Sequence, residues 1–213
     1  MNRVPNSLLD ERAEDLAPVQ PIRRWQGIAL VALSALATIA LVELVDGLWR
    51  GIASGQASAL FFIANGMFAV VGTAASIAVL KMASPHVGNR HDGARWATLM
   101  IVLLPLAAFV TLGLTTMFEE VSRDMYGFDC FLAAMASGLL TGAALVAWLR
   151  RGAPVSLQSA GLYTGIAAGA IGSFAFGLAC PIDTIAHLAS WHVLPIIVSA
   201  LAGRLIVPRL VRW

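Results

Sequence analysis

Six apolar runs, separated by short polar connections, organise this chain of 213 residues. They cover Trp25–Val45, Ala59–Leu80, Arg95–Met117, Cys130–Leu149, Gln158–Leu178 and Ile185–Val207. Each is close to the roughly 20 residues needed to cross a hydrocarbon core about 30 Å thick. None alternates with a period of two, so the strands of a closed barrel are excluded. The pattern predicts six membrane-spanning α-helices. Trp191, His192 and Pro195 interrupt the last run, and Pro105 and Pro195 predict kinks in the third and sixth helices.

Composition agrees with that pattern. The chain is 59% hydrophobic and 12% charged, against about a quarter charged for a soluble domain. The fold class is therefore all-α, an integral membrane bundle of six transmembrane helices. It divides into a polar tail, residues 1–24, and a transmembrane domain, residues 25–213. The polar start makes the first apolar run a span rather than a cleavable leader. The net charge of +2 makes no case for nucleic acid; the positions of the charges are more telling. Arg3, Arg12, Arg23, Arg24, Lys81, Arg90, Arg95, Arg150, Arg151, Arg204, Arg209 and Arg212 fall on the tail, the even connections and the C-terminal end. Only Arg50 and Arg123 fall on the odd connections, which carry Asp46, Glu119, Glu120, Asp124, Asp129 and Asp183. Basic connections stay in the cytoplasm. Both termini are therefore expected there, in a multi-pass protein of a bacterial inner membrane.

The tail holds an amphipathic segment. Ser7 followed by Asp10 resembles a capping box, and Pro18 is a stop. Leu8, Leu9, Ala13 and Leu16 share one helical face between them. A helix of about ten residues is marginal alone in water. It either folds in a partner's groove or is a frayed leader without a role. Further on, Gly161, Gly165 and Gly169 recur every four residues with Gly172 a turn beyond, and Ser199 and Gly203 repeat the spacing weakly. Such stripes let helix backbones approach closely, here within the bundle in preference to between copies.

Little in the spans suggests catalysis or ion transport. Charges at bilayer depth mark ion paths, yet Glu43, Asp46 and Lys81 sit at helix ends and Asn65 is the one strongly polar residue well inside a span. Ion-coupled transport is disfavoured, while an uncoupled channel stays open. No phosphate loop, HExxH or nucleophile elbow is present, so no enzyme is expected. The histidines do not form a transhelical haem pair.

The remaining chemistry lies in the stretch FGLACPIDTIAHLASWH, residues 176–192. Cys180 ends the fifth run and Cys130 opens the fourth, so both thiols belong to the outer face, which is oxidising in a bacterium. Three readings stand. The thiols form a structural disulfide; or they sense a soft metal or an oxidant; or they are packed as small hydrophobes. For the second, thiolates select copper(I), zinc and similar ions, with imidazole as co-ligand. Asp183 and His187, four apart, would share a face if the sixth helix started near Pro181. The candidate metal set is Cys130, Cys180, His187 and Asp183, with Met125 and Asp129 nearby in sequence. No resident cofactor is expected beyond a transient soft metal ion, copper or similar.

From Arg150-Arg151-Gly152-Ala153-Pro154 onward the chain resembles the NrsF-like family of six-span bacterial inner-membrane proteins. The likeness continues through the small-residue span, Cys180-Pro181, Asp183, Trp191-His192 and Arg212-Trp213. Cys130, and the tail from Leu8-Leu9 to Asp15-Leu16-Ala17-Pro18-Val19, are similar too. The resemblance implies a membrane anti-sigma factor that sequesters an extracytoplasmic-function, sigma-F-type sigma factor and releases it under heavy-metal or oxidative stress. It implies Cys130 and Cys180 as sensing residues, and Leu8, Leu9, Ala13, Leu16 and Val19 as the sigma-binding surface. The tail is short for the family, so Arg90, His91, Arg95 and Arg150-Arg151 are further candidates for sigma contact. The alternative from the residues alone is a small metal-handling or efflux protein using the same cysteine pair.

Overall fold

The computed structural model describes residues 23–84 and 92–211. Among them the chain is all-helical, without a strand. Six helices are long and apolar enough to cross a membrane: α1 Arg24–Val45, α2 Ala59–Met82, α3 Asp92–Arg123, α4 Gly127–Leu149, α5 Leu157–Gly177 and α6 Ile185–Val211. They run alternately up and down. The connections 46–58, 124–126 and 178–184 therefore share one end of the bundle, the site end, and Arg24, Met82, Leu149 and Val211 lie at the other.

The helix ends follow local chemistry more than hydropathy. α3 runs six residues past its apolar stretch, because Glu119 and Arg123 pair across one turn (3.4 Å) and helix-favouring polar residues continue the turn beyond it. Pro105 acts one turn earlier than its own position. It cannot donate to the Ile101 carbonyl, and the helix breaks into a turn at residues 101–102. A second break stands at Gly113, whose φ of 72° and ψ of 165° suit only a residue without Cβ. Ser58 and Ser156 cap α2 and α5, each accepting a backbone N–H with its hydroxyl oxygen.

Packing is arranged as for a lipid solvent. Many large apolar residues point outward, Leu33 being 65% and Leu139 70% exposed, while small and hydroxylated residues lie between helices together with a core of Phe61, Phe68, Leu145 and Trp148. In α1 the buried residues are Gly27, Ser34, Thr38 and Val42. Ser34 and Thr38 return their hydroxyls to Val31 O and Ser34 O, and Ser34 meets Thr141 of α4 at 3.5 Å. Between helices of this apolar kind, close backbone contact and hydrogen bonds carry much of the association.

Helix α5 is the centre, with 72% of its apolar window buried against 17% in α1. Its glycine stripe is used within the bundle. A Cβ at Gly161 would strike the Gly203 carbonyl, one at Gly165 the Ser199 carbonyl, and one at Gly169 the Ile196 backbone, all on α6. Gly172 faces the Ala134 carbonyl and Gly138 of α4 instead. Gly152 packs on Ala83, whose carbonyl accepts the Ala153 N–H (2.9 Å) and ties the connection after α4 to the end of α2.

Candidate functional site

At the site end α5 stops at Gly177, ahead of Pro181, and the chain turns into α6 through Cys180. Thr184 caps α6, its hydroxyl accepting the His187 N–H at 3.4 Å. Since the helix starts at Ile185, Asp183 precedes it and points elsewhere. Its Oδ2 accepts the Ser58 N–H at 3.1 Å, tethering connection 46–58. The Trp49 N–H reaches Leu178 O (2.9 Å) and the Trp49 ring packs edge-on against Phe61. This connection covers the end of α5.

Residues Leu188–His192 form a π turn. Pro195 has no N–H to give, and Ile196 N–H turns back to Val193 O (3.0 Å). The carbonyl of His192 is thereby freed, and Ser173 Oγ of α5 donates to it at 2.8 Å. The turn decides which side chains meet. At 3.6 residues per turn, positions five apart point about 140° away from each other; the wider i→i+5 winding brings them back to one side. His187 and His192 are such a pair, with ring centroids 5.2 Å apart. A Cβ at Gly127 would collide with the Trp191 indole, so the turn lies flat against the start of α4, one turn before Cys130.

Four buried donors converge as a result. Cys130, Cys180, His187 and His192 each bring a ligand atom within 4.8 Å of all the others. Both thiols are free. Their sulfurs are 3.8 Å apart, and Cys180 Sγ is 3.3 Å from His187 Nε2. Behind His187, Asp124 at the end of α3 accepts from its Nδ1–H at 2.6 Å. An ionised carboxylate can only accept, so a proton stays on Nδ1 and Nε2 faces the sulfurs. Cys180 lies outside the helices, and its thiol is held below the ordinary cysteine value. The Cys130 S–H beside it contributes most, followed by the His187 ring, against the opposing effect of burial.

His192 is the anomaly. Its ring is fully buried between Phe68 and Phe176, stacked at centroid distances of 6.2 and 6.3 Å. Neither ring nitrogen has a hydrogen-bond partner. An imidazole stripped of water on both nitrogens costs on the order of 1–3 kcal/mol per unpaired group.

Of the residues anticipated from sequence, Cys130, Cys180 and His187 are brought together and Asp183 is not. Asp129 lies in the first turn of α4 and Met125 is exposed; neither joins the four donors. Asp124 and His192 were missed as site residues. The i,i+5 spacing hides His192 from any α-helical reading, and Asp124 is visible only once α3 is seen to run to Arg123. Leu8, Leu9, Ala13, Leu16 and Val19 lie outside the described residues, as do Arg90 and His91. Arg95 is exposed and within 3.9 Å of Asp92; Arg150 and Arg151 are exposed after α4, at the end opposite the thiols.

One family pattern, negative regulator of sigma F, matches residues 13–213. The chain belongs to this family. No curated protein and no solved structure matches it. Membership makes the chain a regulator rather than a member of an enzyme family, with a sigma factor as its partner.

Proposed function

We propose that this chain is a membrane anti-sigma factor of the bacterial inner membrane, with both termini in the cytoplasm. It sequesters an extracytoplasmic-function sigma factor and releases it when Cys130 and Cys180 meet a heavy metal or an oxidant. The observation that carries the reading is the pair of free, buried thiols 3.8 Å apart. They lie at the end of the bundle opposite the basic connections, in a chain of this family.

Two inputs suit the pair. A soft ion bridges the sulfurs once both are deprotonated. An oxidant such as a peroxide or chromate takes two electrons while two protons leave, and the sulfurs close to a bond of about 2.05 Å. Either input draws α4 and the α5–α6 turn together. Helix α5 joins Cys180 to the Arg150-Arg151 connection and is held by backbone contacts to α4 and α6. Such a close-packed element moves as a body. Release follows if the altered arrangement binds sigma less tightly than the resting one. The tail surface, Leu8, Leu9, Ala13, Leu16 and Val19, is the proposed sigma contact.

The test is reporter output from the cognate promoter with and without cadmium, copper or chromate. Wild type should respond, Cys130→Ser and Cys180→Ser should stay silent, and deletion of the gene should give constitutive output. Output unchanged on deletion would overturn the proposal. Altered cellular metal content beside that unchanged output would favour the metal-handling alternative.

A further inference from the structure

We infer that Cys130, Cys180, His187 and His192 together form a closed four-ligand site for a divalent, tetrahedral zinc-group ion, zinc or cadmium. His192 is the fourth ligand and Asp124 the residue that positions His187. This rests on the proposal above for its biological meaning, though the site is argued from geometry alone.

The distances fit before any ion enters. Zinc binds thiolate at about 2.3 Å and imidazole at about 2.0–2.1 Å in a tetrahedron. Two sulfurs on one such ion are then about 3.8 Å apart, and a sulfur and a nitrogen about 3.5 Å. The structure has 3.8 Å between sulfurs and 3.3 Å from Cys180 Sγ to His187 Nε2. No separation in the set exceeds 4.8 Å, so closing it takes movements of about 1 Å.

His192 supplies an independent pointer. Its two nitrogens are buried and unpartnered, and a buried polar group without a partner calls for an explanation. Phe68 and Phe176 hold the ring in a fixed plane without using its nitrogens. A lone pair stripped of water but kept near two sulfurs is a ligand awaiting an ion. Asp124 provides the matching outer contact for His187, since a metal-bound imidazole characteristically donates its other N–H to a carboxylate.

Charge selects the ion class. Two thiolates and two neutral imidazoles carry −2, so a divalent ion gives a neutral core inside aromatic walls. A monovalent ion would leave a buried net charge at considerable cost. Binding of the divalent ion expels whatever thiol protons remain to solvent, with no change in oxidation state.

The experiment uses the full-length protein, purified in detergent with its thiols reduced and loaded with zinc or cadmium. X-ray absorption of the zinc form should show one ion per chain with two sulfur and two nitrogen neighbours. His192→Phe keeps the aromatic stack and removes both nitrogens; it should weaken zinc binding by more than ~100-fold, beyond the roughly 10–100-fold expected of the outer-contact change Asp124→Asn. Elution of each variant by size exclusion checks that it is folded, and the wild-type absorption spectrum stands on its own if a variant is not. Failure of reduced wild type to bind zinc or cadmium, a shell without two nitrogens, preferential copper(I) binding, or unchanged affinity in a folded His192→Phe would each overturn the inference. A promoter that still responds to chromate under those results would leave the anti-sigma reading intact. A filled four-ligand site with an unresponsive promoter would do the reverse.

Discussion

The two ends of helix α5 are built on opposite rules. Over Gly161, Gly165 and Gly169 the helix meets α6 backbone to backbone, with no room for a side chain. Beyond Gly172 the interface opens, and side chains fill it: buried Ser173 and His192, half-buried Phe176 and then the buried sulfur pair. The first region gains its stability from proximity and tolerates nothing larger. The second keeps polar groups out of water without fully pairing them. Stability is concentrated in one part of the helix, and reactive groups held at a cost in the other.

This contrast can be broken most severely in the close-packed region. Gly165→Leu places a branched side chain against the Ser199 carbonyl and Ala200. Because backbone cannot yield as a side chain can, the loss should exceed the ~1–3 kcal/mol typical of overpacking. The variant should fail to give a monodisperse protein or should melt far below wild type. A normal melting profile would show that the stripe is not a helix contact. Asp183→Ala should have an intermediate effect. Losing the bond from Ser58 N–H frees connection 46–58 and costs roughly 1.5–3 kcal/mol, seen as faster proteolysis of that connection, with zinc affinity unchanged. A large loss of zinc affinity would instead make Asp183 a ligand. The smallest effect belongs to Thr141→Val. Its hydroxyl lies 3.5 Å from that of Ser34, and such interhelical bonds average about 0.6 kcal/mol. A melting shift of a few degrees at most should separate it from the other two.

Most of the fold was legible in the sequence because hydropathy and length are strong signals. All six helices lie where the apolar runs predicted, and the glycine spacing anticipated the α5–α6 contact. Boundaries were less legible. Glu119, Glu120, Ser122 and Arg123 are polar yet helical, so the third connection shrank to residues 124–126 and its apparent loop carboxylate, Asp124, became a partner of His187. The site was half legible. Two cysteines at matching depth stood out, and His187 entered through its four-residue spacing from Asp183. Asp183 was misplaced in the candidate set by assuming that α6 began near Pro181, when the Thr184 cap starts it at Ile185. His192 required a π turn, a departure in winding set by Pro195 and Ser173 that a 3.6-residue period cannot express.

The most direct measurement is co-purification of the sigma factor with the full-length protein from membranes, before and after cadmium, in wild type and Cys130→Ser. Wild type should retain sigma at rest and lose it once cadmium is added, while Cys130→Ser should retain it throughout. If no sigma is retained at rest, or if cadmium displaces it equally from both proteins, the link between the sulfur pair and the regulator's grip is contradicted.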